Sequence, residues 1–163
     1  MYSTLLWATD GSPDGDIALA EALELLASGG RLVAFPCDQR FMGDRAPGAP
    51  ALADEYDRRR HIEQQVNELQ AAGIDAALDI ELTEHGTPRE IGTVADHAGA
   101  DAIVCGTRGL GGPFGLLTGS VAADLLRQAT VPVIVVPPKA SRRVARARRR
   151  RPRHAASNAA FIG

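Results

Sequence analysis

Six glycines, at 106, 109, 111, 112, 115 and 119, crowd the segment CGTRGLGGPFGLLTGSV at residues 105–121, and the last stands directly before Ser120. Backbone N–H groups wrap phosphate oxygens only where the chain comes close, and glycine allows both the approach and a positive φ. Gly119-Ser120-Val121 then opens a helical stretch. Its free N–H groups and positive dipole end favour an anion, and the Ser120 hydroxyl adds a donor. The chemistry on offer is phosphate binding. The P-loop ends in G-K-[ST], and no lysine precedes Lys139, which excludes it. A dinucleotide G-x-G-x-x-G counted from Gly109 would put Phe114 in the final glycine position, and the segment follows the fourth strand instead of the first.

Other reactive residues offer less. His61, His85, His97 and His154 have neither an i,i+3 or i,i+4 histidine partner nor an H-E-x-x-H pattern, so no metal site is expected. A hydrolytic triad built from Asp10, a histidine and Ser120 lacks the G-x-S-x-G elbow. No residue stands out as a general base for phosphate hydrolysis, so efficient turnover of a phosphate ester is not expected and no catalytic residue is assigned. Cys37 and Cys105 lack C-x-x-C spacing and are expected as buried, reduced thiols.

The elements that must position the glycine-rich segment alternate strand-like and helix-like. Residues 3–9 (STLLWAT) form a short apolar strand, and Ser12 with Pro13 caps and starts a helix whose apolar stripe of Ile17, Ala20, Leu23 and Ala27 is ended by Gly29-Gly30. A second strand, 31–37, loses its pairing near Pro36; a loop at 38–50 leads to a helix at 51–72 with Leu52, Tyr56, Ile62, Val66 and Leu69 inward. Residues 74–82 alternate like an edge strand. Thr87-Pro88 opens a third helix with Ile91, Val94, Ala95 and Ala98 facing inward; strands at 101–105 and 131–136 flank a fourth helix at 119–129. This order, with continuous apolar strands and crossover helices, predicts an α/β fold with a mostly parallel sheet covered on both faces. Ligands of such sheets bind outside the carboxyl ends of the strands, where the winding direction switches. Asp10, Cys37 and the glycine-rich segment all fall on that edge.

The 163 residues fit one domain, and the 45% hydrophobic content with few aromatics suits a cytosolic α/β protein. The start MYSTLLWATD has no basic n-region and meets Asp10 after a short apolar run, so neither signal peptide nor membrane span is expected and a cytoplasmic location is. A net charge of −2 hides an asymmetry: residues 1–138 hold all 20 acidic residues and nine of the 18 Lys and Arg, giving −11, while the nine basic residues of 139–163 give +9. That tail, containing SRRVARARRRRPRH, is expected to be disordered. Residues 139–153 have the charge for nucleic acid or another anionic partner but no interleaved aromatics to stack on bases.

The spacing G-x-x-G, nine residues, G-S (Gly106, Gly109, Gly119, Ser120) resembles the ATP-binding subgroup of the universal stress protein family. The likeness extends over residues 3–138 and includes Asp10 at the end of the first strand, Gly86-Thr87-Pro88, and PVIVV at 132–136. It implies a Rossmann-like, adenine nucleotide alpha hydrolase-like fold with strand order 3-2-1-4-5, and a domain of residues 1–138 followed by the tail at 139–163. The implied ligand is ATP with Mg²⁺. Ala8, Thr9 and Asp10 would line base and ribose, the backbone near Cys37 the adenine edge, and Gly106, Thr107, Arg108, Gly109, Leu110, Gly111 and Gly112 the ribose and phosphates. Gly119, Ser120 and Val121 would hold the terminal phosphates. Pro36 stands where the family often has histidine, and Gly111-Gly112-Pro113 makes the loop less polar than in many relatives. The resemblance further implies a homodimer through strand 131–136 and a regulatory role in stress or dormancy. A slow ATPase and a nucleotide-free interaction scaffold with a nucleic-acid-binding tail are the competing functions. In the implied order the strands carrying the two cysteines are separated by a third, about two spacings of ~4.8 Å, beyond the ~7 Å Cα limit of a disulfide.

Overall fold

A computed structural model of the chain describes residues 1–37, 53–79, 88–107 and 120–137. Nine elements follow in order: β1 (Tyr2–Thr9), α1 (Pro13–Leu25), β2 (Leu26–Pro36), α2 (Ala53–Ala71), β3 (Asp75–Leu78), α3 (Pro88–His97), β4 (Ala102–Gly106), α4 (Ser120–Gln128) and β5 (Val133–Val136). The strands form one parallel sheet in the order β3-β2-β1-β4-β5.

Alternation along the strands sorts the core into two layers. Leu5, Trp7, Leu32, Ala34, Ala102 and Val104 face Ala18, Leu19 and Ala22 of α1 and Ile62 and Val66 of α2. Leu6, Ala8, Val33, Phe35, Ile103 and Cys105 face Ile91, Val94 and Ala95 of α3 and Ala122 and Leu125 of α4. Successive residues of a strand point to opposite faces, so a sheet sandwiched by helices needs apolar residues at every position, as Leu5 to Ala8 supply. The winding direction reverses between β1 and β4. The amino edge is closed by Asp101, whose Oδ2 accepts from the N–H groups of Ser3 and Thr4 at 2.7 and 2.9 Å.

Three expectations are corrected. First, α1 ends at Leu25, four residues before Gly29, and the chain continues as strand. Leu26 adopts extended backbone and pairs with Tyr2 across an irregular register. Gly29 turns with φ +73, and a Cβ on Gly30 would lie 2.9 Å from the Ser3 carbonyl oxygen. Sheet pairing thus overrides the helical spacing that Ala27 had extended. Second, Tyr56 is 64% exposed. The buried face of α2 runs through Ile62 and Val66, and the half-buried residue one turn before Ile62 is Arg58. Third, Cys37 is only half-buried, whereas Cys105 is buried, and both are free thiols on strands separated by β1. The tail at 139–163, the loop at 38–50 and the outer part of the predicted strand 74–82 lie outside the described residues, apart from the short β3.

Candidate functional site

The carboxyl ends of β1, β2 and β4 lie side by side, with Thr9 in register with Pro36 and Ala8 with both Phe35 and Cys105. Cys37 carries the β1–β2 pairing one step further, its N–H donating to the Thr9 carbonyl at 2.7 Å. That amide is therefore committed to the sheet.

Beyond Thr9 the chain turns sharply into α1 through a set of local bonds. Asp10 Oδ1 accepts the Ser12 N–H at 3.1 Å, Thr9 Oγ1 accepts the Gly11 N–H at 3.2 Å, and Ser12 Oγ accepts the Gly15 N–H at 3.3 Å. Gly11 sits at φ +70, a conformation that disfavours any side chain. The capped start with Pro13 at its first position is the arrangement the sequence predicts. The turn thus anchors the Asp10 side chain on the Ser12 N–H.

Two close approaches set the height of α1 above this edge. A Cβ built on Gly15 would lie 2.4 Å from Thr9 Oγ1, and one on Gly106 would lie 3.1 Å from the Asp14 carbonyl oxygen. The indole Nε1 of Trp7, fully buried, donates to the Gly15 carbonyl at 3.1 Å. The first turn of α1 is thereby pressed against the ends of β1 and β4. Gly15 was not among the predicted site residues; the available signal was a glycine inside a helical pattern, which usually has a packing reason.

On β4, Gly106 pairs with Val136, and the Thr107 N–H donates to the Val136 carbonyl at 3.1 Å. The Thr107 hydroxyl oxygen is buried without a hydrogen-bond partner. Ser120 is the first residue of α4, with Val121 following in its first turn. Ala8, Thr9, Asp10, Cys37, Gly106 and Thr107 are thus brought to one edge by adjacent strands. Arg108, Gly109, Leu110, Gly111, Gly112 and Gly119 lie outside the described residues.

Helix α2 adds residues that sequence reasoning missed. Arg58 packs on the Asp10-Gly11 turn: a Cβ on Gly11 would lie 3.0 Å from Arg58 Cβ. Asp16 Oδ1 accepts from Gln65 Nε2 at 2.9 Å and lies 3.0 Å from His61 Nε2, bracing α1 against α2. Their separation in sequence, 45 and 49 residues, left no local pattern to find them by. Among the described residues, Arg58 thus lies against the Asp10-Gly11 turn, and the Asp16 carboxylate is engaged by His61 and Gln65. Cys105, one residue before Gly106, has its thiol pushed up to about 11 by burial, so it is a packing group and not a nucleophile at neutral pH.

No group of three or more His, Cys, Asp or Glu among the described residues could hold a metal ion, and no helix among them is long and apolar enough to cross a membrane. The model of the universal stress protein family matches residues 1–137. A Thermus aquaticus protein, the universal stress protein in QAH/OAS sulfhydrylase 3'region, is 32% identical over 141 residues, covering 83% of this chain and 99% of that protein. A solved structure from the universal stress protein family of Burkholderia pseudomallei has a TM-score of 0.57 at 30% identity, covering 84% of this chain and 97% of that one. A universal stress protein solved in complex with cAMP has a TM-score of 0.57 at 26% identity, covering 83% and 97%.

Proposed function

The chain belongs to the universal stress protein family, and from that premise we propose that it is a regulatory module which binds an adenine nucleotide, ATP with Mg²⁺, and responds to it in stress or dormancy. The observation that carries this reading is the convergence at the reversal between β1 and β4. There Asp10 ends one strand, Gly106 and Thr107 end its neighbour, and a glycine-rich stretch leads from them to the start of α4. Open α/β sheets bind ligands at such a reversal. The cAMP complex of a similar protein supports an adenine nucleotide as the class.

The residues fit that ligand. Asp10 would accept from a ribose hydroxyl, with Ala8 and Thr9 lining base and ribose and the carbonyl at Cys37 meeting the adenine edge. Gly106, Thr107 and the segment through Arg108, Gly109, Leu110, Gly111 and Gly112 would follow the phosphates, and the orphaned Thr107 hydroxyl is suited to donate to an added oxygen. Leaving such a group unsatisfied costs about 1–3 kcal/mol, which a ligand oxygen would recover. Gly119, Ser120 and Val121 would meet the terminal phosphates at the start of α4. Mg²⁺ keeps several waters and binds through phosphates plus one or two protein oxygens, so it would arrive with the triphosphate. The same reading places the molecule in the cytoplasm as a homodimer paired along residues 131–136, which would cover the edge of β5.

Calorimetry with ATP, cAMP and adenosine tests the site. Asp10→Asn keeps an acceptor for the Ser12 N–H but removes the charge. Its expected result is about tenfold weaker nucleotide binding with thermal stability little changed, as for one lost charged hydrogen bond. Absence of binding by the parent protein, together with no nucleotide released on denaturation, refutes the proposal. Light scattering at twice the chain mass is the result expected for the dimer.

A further inference from the structure

The turn that carries Asp10 is closed by local bonds of 3.1 to 3.3 Å, from Asp10 Oδ1, Thr9 Oγ1 and Ser12 Oγ to backbone N–H groups. Such bonds are individually modest, because water competes for the same groups. A second support comes from a helix far away in sequence. A Cβ on Gly11 would meet Arg58 Cβ at 3.0 Å and Arg58 Cγ and carbonyl oxygen at 3.3 Å. Position 11 therefore requires glycine twice: φ +70 disfavours a side chain, and α2 leaves no room for one. The Nε of Arg58 is buried, so the apolar stem of this side chain lies along the fold and covers the turn.

Helix α2 is itself held in place. Ile62 and Val66 anchor it in the core, and His61 and Gln65 engage Asp16 Oδ1 at 3.0 and 2.9 Å. Arg58, His61 and Gln65 are spaced i, i+3, i+7 and so share one face of the helix. That face meets the start of α1 at Gly11 and at Asp16, on either side of the Ser12 cap. Resting on the nucleotide reading above, we propose that Arg58 is a positioning residue: its stem, carried by the anchored α2, holds the Asp10-Gly11 turn closed and so presents the Asp10 carboxylate to the ribose of the nucleotide. Arg58 acts through Asp10 and not on the phosphates. A turn that opens lowers the population able to bind, and the apparent affinity falls by the same fraction.

The test uses the full chain, with amide exchange of the Ser12 N–H followed by NMR and calorimetry with ATP and with adenosine. Arg58→Ala removes the stem beyond Cβ, and the expected result is about fivefold faster exchange at Ser12 with about fivefold weaker binding of both compounds. Arg58→Met keeps an unbranched stem without the charge and should restore exchange and affinity alike. Asp10→Ala leaves no carboxylate to position, so adding Arg58→Ala to it should weaken binding no further. Unchanged exchange at Ser12, failure of Arg58→Met to restore binding, a loss confined to ATP, or an undiminished loss in the Asp10→Ala background each overturns the inference while leaving the site. A parent chain that binds neither compound overturns the nucleotide reading and this role with it.

Discussion

Replacing Gly15 by Ala tests how α1 is held at the candidate site. In an isolated helix the change would stabilise by about 1 kcal/mol, because Ala is the better helix former. Here the new Cβ would stand 2.4 Å from Thr9 Oγ1, so the helix or the side chain must move by about 0.6 Å to reach even the tight limit of 3.0 Å. Thr9 is 2% exposed and its hydroxyl accepts the Gly11 N–H, while the Gly15 carbonyl accepts from Trp7, so either movement strains a bond. Overpacking costs about 1–3 kcal/mol and a lost hydrogen bond about 1 kcal/mol; against the helical gain, the net is a destabilisation of roughly 1–3 kcal/mol. Urea unfolding followed by the fluorescence of Trp7, the single tryptophan, measures it. The double variant Thr9→Ala, Gly15→Ala supplies the control: with the hydroxyl gone, the nearest remaining atom is Thr9 Cβ at 3.5 Å, ordinary contact. Adding Thr9→Ala should therefore cost less in the Gly15→Ala background than in the parent, by about 1 kcal/mol or more. A Gly15→Ala protein as stable as the parent, or two substitutions that simply add, would refute the close-packing account.

Other perturbations have equally direct outcomes. Ser12→Ala removes the acceptor of the Gly15 N–H and should lower stability by about 1 kcal/mol, measured by the same unfolding curves. Asp101→Ala strips the acceptor from two N–H groups at the amino edge and should cost about 1–2 kcal/mol, with faster amide exchange at Ser3 and Thr4. Cys105 is held as a thiol in the fold, with its value raised from 9.0 to about 11. Its contribution to stability is complete below pH 9 and is lost as pH rises towards 11, by an amount on the order of 3 kcal/mol, because the unfolded chain ionises first. Cys105→Ala should flatten that part of the pH profile. Under native conditions near pH 8, alkylation should mark Cys37 well before Cys105.

The turn from the first strand into the first helix was legible in sequence because its signals are local. The Ser12-Pro13 helix start and the aspartate after the first strand each act over a few residues, where capping and turn chemistry are fixed by residue type. Apolar runs such as LLWA likewise announced a sheet covered on both faces. Helix ends were less legible: Leu26 carries a helical period but is taken by pairing with Tyr2, a partner that propensity cannot see.

The sequence alone determined the kinds of element, their alternation and the separation of acidic from basic charge along the chain, since these depend on composition and near neighbours. Only the tertiary structure decided that Gly15 sits on Thr9, that Arg58 rather than Tyr56 faces the Asp10 turn, and that Asp16 is engaged by His61 and Gln65. It also decided that Val136, the last residue of β5, meets Thr107. Each of these joins residues distant along the chain, and their meeting is set by how parallel strands and their crossover helices pack.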